Sequence, residues 1–272
     1  MARDSTTSPP TWRSSVDWAA YDKAWAGLNR PFLTQALERM PLLARADIWL
    51  HIPGVGSGLE LEDLRNHYPG SSFVTSDLTP TTSATIHDIL ATLDQPPRFL
   101  LEDAQQPAVN NIDLSFNVFM LHLVDDPCAT IQALWQTLTP GGWLACLYFP
   151  PVPTGQGPLA SLFWAVSDVL AGRVKPNWEQ DALPWLMGKA SRLTSRLLYA
   201  KWSFSALQEF RAALEVLPHI QALRVKLGDA RYEQVWSLWS ETPGLFPDKS
   251  EGWHGTAAAR FLLAQKPTKR VW

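Results

Sequence analysis

The sequence predicts an α/β fold with a doubly wound, mostly parallel sheet, and three observations predict it. A glycine run, Gly54-Val55-Gly56-Ser57-Gly58, lies between an apolar stretch from Ile48 to Ile52 and a helical stretch from Leu59 to His67. A second apolar stretch, Ser72 to Ser76, ends in Asp77. Strand and helix signals then keep alternating as far as Phe149. Strand, glycine loop, helix and strand in that order make a βαβ unit.

Taken from the start, residues 1–14 are polar and rich in Ser, Thr and Pro, without the apolar core of a secretory signal, and read as a flexible tail. Residues 15–272 fit one elaborated domain. Between Trp18 and Met40, apolar residues at Trp18, Tyr21, Trp25, Leu28, Phe32 and Leu37 recur at helical spacing, interrupted around Pro31. Thr79 to Asp94 has turn and helix signals, and Arg98 to Leu101 is a short strand ending at Glu102-Asp103-Ala104. Ile112 to Leu121 reads as a buried strand, with His122 and Asp125 just beyond it. Asp126-Pro127 opens a helix holding Ile131, Leu134, Trp135 and Leu138, Thr139-Pro140-Gly141-Gly142 is expected to end it, and Trp143 to Phe149 is the fifth strand.

Beyond Pro150 the character changes. Residues 150–217 read as a helical cap or lid inserted after the fifth strand, with Leu159, Phe163, Val166 and Leu170 at helical period and another amphipathic helix from Phe204 to Leu217. Leu223 to Leu227 and Arg260 to Gln265 are expected to close the sheet.

Composition narrows the function classes. A net charge of −3 gives no basic face for sequence-independent nucleic-acid binding. Two cysteines, Cys128 and Cys146, are too few for a disulfide framework or a cysteine-rich zinc site, which favours a reducing, cytoplasmic home. The histidines are scattered, so no metal is expected. No segment has transmembrane length. Fourteen tryptophans are the oddity, most of them outside the glycine-loop region. Trp164, Trp185 and Trp202 are candidates to line a pocket for an apolar or aromatic guest, although large rings are ordinary core material too.

The glycine run carries the first chemical hypothesis. Glycines at alternate positions let the backbone turn sharply and approach a ligand, and the free N–H groups opening the next helix attract polar or negative groups. Asp77 stands where a mononucleotide-binding unit places an acid to accept hydrogen bonds from ribose hydroxyls. A nucleoside-bearing cofactor follows. A nicotinamide dinucleotide fits less well, because reading G-x-G-x-x-G from Gly54 or Gly56 puts Leu59 or Leu61 at the last glycine position.

With Asp113-Leu114-Ser115-Phe116-Asn117-Val118, Leu121-His122, Asp126-Pro127 and Leu138-Thr139-Pro140-Gly141-Gly142 following in register, the region from Trp18 to Phe149 resembles the class I S-adenosylmethionine-dependent methyltransferases of the small-molecule type. That resemblance implies a Rossmann-like sheet and S-adenosylmethionine as cofactor. It places Gly54, Gly56 and Gly58 under the methionine end and Asp77, with Leu78 beside it, at the ribose. Asp103 and Ala104 fall at the adenine, and Phe119 near the sulfonium. One position departs from the family: the acid expected two residues before the first glycine, at the methionine amino group, is Ile52, with Pro53 following and His51 preceding it.

The expected activity is methyl transfer to a hydrophobic or aromatic small molecule, a specialised metabolite, with a possible homodimer as the assembly. Such transfer is an in-line displacement that chiefly needs alignment and exclusion of water. Where the acceptor must lose a proton, His122, His254, Asp125 and Tyr21 are the candidates at the rim, Tyr21 doubling as a substrate contact. Two alternatives stand beside it: a repurposed fold that uses the cofactor for a non-methylating cyclisation, elimination or decarboxylation, and a non-catalytic partner subunit.

Overall fold

The computed structural model of the protein describes residues 17–41, 43, 47–79, 98–152, 158–170, 177–241 and 253–268. The expected N-terminal tail and nearly all of the helix expected over 79–94 lie outside them. Two helices come first, α1 (Trp18–Leu28) and α2 (Arg30–Leu37). Asp17 starts α1 by accepting the Ala20 N–H at 3.0 Å. Pro31 sits in the first turn of α2, where its missing N–H costs nothing, so the interruption is a helix boundary at Asn29.

The βαβ unit follows as β1 (Trp49–Pro53), α3 (Glu60–His67) and β2 (Ser72–Asp77). Then come β3 (Arg98–Leu101), β4 (Ile112–Val118), α4 (Pro127–Thr137) and β5 (Leu138–Tyr148). Asp126 caps α4 through the Ala129 N–H at 2.9 Å, with Pro127 at the first helical position. The chain continues as α5 (Pro158–Val169), α6 (Glu179–Met187), β6 (Arg192–Phe204), α7 (Leu207–Glu215), α8 (Pro218–Leu227), α9 (Asp229–Ser240) and β7 (Trp253–Gln265).

These strands form one seven-stranded sheet in the order β3-β2-β1-β4-β5-β7-β6. The first five are parallel, and β7 runs antiparallel between β5 and β6. Alternation along β5 explains why the sheet is wound on both faces. Ala145 and Leu147 join the core made with α1, α2, α3, α5 and α7 to α9. Leu144, Cys146 and Tyr148 join the other core, with α4 and α6.

Three features differ from the sequence expectation. Thr139-Pro140-Gly141-Gly142 does not break the strand, because Gly141 at φ +83° bends the chain while its N–H reaches the Lys266 carbonyl at 3.1 Å. The stretch thus becomes an irregular start of β5. The 150–217 segment is not wholly helical: β6 runs through it, with buried Leu198, Ala200 and Trp202 alternating with exposed Tyr199 and Lys201. Leu223 to Leu227 is not a strand but the end of α8, which Pro218 opens and Gly228, at φ +75°, closes.

Candidate active site

The strand order reverses between β1 and β4, and the crevice outside the carboxyl ends of these strands is where open α/β sheets bind ligands. A cleft lies there. Gly54, Gly56, Ser57 and Glu60 line it from the glycine loop and the start of α3, Asp77 from β2, and Phe119, Met120 and His122 from the end of β4. Tyr21, Trp25 and Asn29 cover it from α1 and its end, and Phe149 and His219 close the far side.

The loop takes this shape because Gly54, Gly56 and Gly58 all adopt left-handed φ values of +66°, +55° and +74°. That region is disfavoured for residues with a Cβ. At Gly54 the problem is also steric, since a Cβ would lie 2.3 Å from the Met120 sulfur. The Gly54 N–H donates to the Ser76 carbonyl at 2.7 Å, which ties the loop to β2. The result is a side-chain-poor cradle beside a carboxylate, and it fits a nucleoside-bearing cofactor.

Asp77 is almost fully buried, and its carboxylate accepts the Gly56 N–H at 3.1 Å and the Thr79 N–H at 3.1 Å. It therefore fastens the glycine loop to the end of β2 while facing the cleft. Its Oδ1 also accepts the Thr79 hydroxyl at 3.2 Å, and the carboxylate borders the cleft where a ligand hydroxyl would sit. Phe119 has φ +52°, a strained value for an aromatic residue, held by its N–H donating to Leu147 O at 2.7 Å. The ring consequently tilts over Phe149, with centroids 4.8 Å apart.

Asp103 and Ala104 follow β3, whose Leu101 pairs with Asp77, so they lie farther along the same sheet edge. They are not among the residues lining the cleft, and neither are Gly58 and Leu78. The Asp103 carboxylate accepts the Gln105 N–H at 2.9 Å.

A second, mainly apolar cavity adjoins the first. Leu159, Leu162, Phe163 and Val166 of α5 face Ile220 and Leu223 of α8 across it. His122, Phe149 and His219 line both cavities. The rings of His122 and His219 meet edge-on with centroids 4.8 Å apart, and burial pushes the His219 pKa down to about 4. His219 therefore stays neutral near pH 7. Sequence patterning gave no hint of it, because nothing local marks the residue after Pro218 as facing Phe149.

The expected tryptophans lie elsewhere. Trp164 is exposed, on the opposite side of α5 from the lining residues. Trp185 packs against Trp135 with ring centroids 6.2 Å apart, in the core on the other face of the sheet. Trp202 is buried in β6 and donates its indole N–H to the Leu28 carbonyl at 3.3 Å. Tyr21 lines the glycine-loop cleft rather than the apolar cavity, and Asp125 is exposed at the end of the turn after His122. His254 pairs with Ser203 near the start of β7. Among the described residues no helix is long and apolar enough to cross a membrane, and no cluster of metal-ligating side chains occurs.

Residues 51–146 match the family described as Methyltransferase domain. The resemblance to the class I S-adenosylmethionine-dependent methyltransferases thus stands, and the fold is theirs. Among solved structures, a candidate methyltransferase from Bacillus halodurans is 12% identical, with a TM-score of 0.61 over 87% of this chain and 99% of that one. Phosphoethanolamine N-methyltransferase 2 of Haemonchus contortus, solved with phosphomonomethylethanolamine and S-adenosylhomocysteine, is 17% identical, with a TM-score of 0.57 over 92% of this chain and 57% of that one. The [4+2]-cyclase SpnF is 15% identical, with a TM-score of 0.50 over 87% of this chain and 80% of that one. Among curated proteins, no sequence matches significantly.

Proposed function

We propose that the protein is an S-adenosylmethionine-dependent methyltransferase acting on an apolar small molecule. The observation that carries this reading is the junction of the two cavities at His122, Phe149 and His219. A polar, glycine-floored cleft suits the cofactor, and the apolar chamber beside it suits the acceptor. Bound in the cleft, S-adenosylmethionine would supply an electrophilic methyl group.

The chain's own residues would do the rest. Asp77 and the glycine loop hold the nucleoside, while Asp103 and Ala104 continue the same edge towards the adenine. Phe119 and Phe149 wall the junction against water, and Leu159, Leu162, Phe163 and Val166 orient the acceptor through its apolar surface. His219, unprotonated at pH 7 because of burial, can accept a proton from an acceptor hydroxyl or amine only as a weak base, with His122 beside it. The 150–217 segment supplies one wall of the chamber through α5 and so acts as part of a substrate lid.

A non-methylating reaction on the same fold is the second reading, and two observations favour it. Ile52 stands where the family has an acid, and SpnF, a cyclase, shares the fold. Incubating the protein with methyl-labelled S-adenosylmethionine and a fractionated metabolite extract separates them. Label in an apolar product together with S-adenosylhomocysteine supports methyl transfer. Cofactor recovered bound and intact, beside a converted but unlabelled substrate, supports the alternative and overturns the first reading.

A further inference from the structure

The departure at Ile52 leaves the amino-acid end of the cofactor without its customary acid, and the structure limits where a replacement can come from. Ile52 is fully buried in the core. His51 is fully buried too, and its Nε2 lies 3.0 Å from the Ser76 hydroxyl and 3.5 Å from a Glu102 carboxylate oxygen, directed at β2 and β3. Asp77 holds the Gly56 and Thr79 N–H groups. None of the three offers a carboxylate to an ammonium at the glycine loop.

Glu60 does. It occupies the first position of α3, two residues after the last glycine, and lines the cleft with Tyr21, Trp25, Gly54 and Ser57. Only 5% of it is exposed. Its carboxyl group is bonded to its own backbone N–H, and among the described residues no cation pairs with it. A nearly buried carboxyl group at a cavity wall with no cationic partner is costly to ionise unless a ligand supplies the partner. Asp22 of α1 is the neighbour: one of its oxygens is buried without a hydrogen-bond partner, and the carboxylate is bonded to Ser57.

We infer that Glu60, with Asp22 beside it, holds the amino group at the amino-acid end of the cofactor, replacing from α3 and α1 the acid that β1 lacks. This rests on the cofactor reading above. The chemistry recognised is a primary ammonium carried by an amino acid joined to a nucleoside.

The surrounding charges give this site a signature. Burial first, and then Asp77, Asp22 and Asp63, push the Glu60 pKa up to about 8. Asp63 itself is paired with Arg30 at 2.8 Å. Tyr21 of α1 faces Glu60 with its pKa raised, by burial first and then by Glu60, so it stays a neutral phenol. His122 and His219 stand across the cleft. Without a cation Glu60 is thus mostly protonated at pH 7. An arriving ammonium favours the carboxylate, and the displaced proton goes to the buffer.

Titration calorimetry of S-adenosylhomocysteine at pH 7, in buffers of different ionisation enthalpy, reads that proton directly. 5′-Methylthioadenosine, which has the nucleoside and lacks the amino-acid end, is the control. Wild type is expected to release close to one proton with S-adenosylhomocysteine and none with methylthioadenosine. Glu60→Gln should bind S-adenosylhomocysteine about 10- to 100-fold more weakly, without proton release, and methylthioadenosine as wild type does. Asp22→Asn should weaken only S-adenosylhomocysteine, by less. Unchanged affinity and proton release in a folded Glu60→Gln protein overturns the inference and leaves the cofactor reading intact. Failure of wild type to bind either nucleoside overturns the cofactor reading itself.

Discussion

His122 and His219 meet edge-on, 4.8 Å between ring centroids, at the point where the polar cleft opens into the apolar chamber. One ring comes from the turn after β4 and the other from the first turn of α8. The contact therefore joins the end of the sheet to the helices that wall the chamber. Replacing His219 with Leu should keep cofactor binding within about twofold and lower turnover by about 10²-fold where the acceptor must lose a proton. Calorimetry paired with a turnover assay checks both halves, and equal turnover in the variant would remove His219 from the chemistry.

His219 also makes stability depend on pH. Its folded pKa of about 4 lies below the ordinary histidine value of 6.5, so the unfolded chain binds more protons between the two. Its contribution is fully present above about pH 6.5 and is lost as the pH falls towards 4. Thermal melts across that range should show a shallower acid-side decline for His219→Leu than for wild type.

Glu60 acts in the opposite direction in the unliganded protein. Its folded pKa of about 8 lies above the ordinary 4.5, so the folded chain binds the extra proton. Stability from this group is fully present below about pH 4.5 and lost as the pH rises through 8. Melts from pH 5 to 9 should show Glu60→Gln gaining on wild type as the pH rises. Saturating S-adenosylhomocysteine should narrow that difference.

Gly54 tests the cradle. Alanine there would sit at φ +66° with its methyl against Met120, strain of about 1–3 kcal/mol before any loss of ligand. Chemical denaturation should report that loss, and cofactor affinity should fall with it.

Behind the chamber, Glu179 of α6 accepts the Tyr148 hydroxyl at 2.8 Å and approaches the Arg260 guanidinium at 2.6 Å, tying α6 to β5 and β7. Burial, and then the Glu179 charge, raise the Tyr148 pKa well above its usual range, so the phenol is the donor. Glu179→Ala leaves Arg260 without its counter-charge in a mostly buried place and should destabilise the protein by about 3 kcal/mol. Tyr148→Phe loses one hydrogen bond and should cost about 1 kcal/mol. Urea denaturation measures both.

The elements legible in the sequence were those with local causes. Asp126-Pro127 caps and starts its helix within four residues, and the glycine run lies between strand and helix as spacing implies. β6 was obscured because its alternation, Leu198 and Ala200 against Tyr199 and Lys201, lies among tryptophan-rich helical signals and is stabilised by pairing with β7, some sixty residues on. Leu223 to Leu227 is apolar enough for a strand, yet Pro218 and Gly228 bound it as a helix. At the site, Gly54, Gly56, Asp77, Phe119 and His122 could be named because motif order places them. Glu60 and His219 could not, since a carboxyl group among carboxyl groups and an imidazole against Phe149 arise only when α1, α3 and α8 close over the sheet. Tryptophan content points the other way, to Trp164, which is exposed on a helix whose opposite side lines the chamber.

On the reading proposed above, the cleft between the glycine loop and Asp77 holds S-adenosylmethionine. Calorimetric titration of wild type and Asp77→Ala with S-adenosylhomocysteine tests it most directly. Wild type should show one site and Asp77→Ala an affinity at least tenfold weaker, because the variant loses both the ribose acceptor and the anchor of the Gly56 N–H. No binding by wild type, or equal affinity in the two proteins, would contradict it.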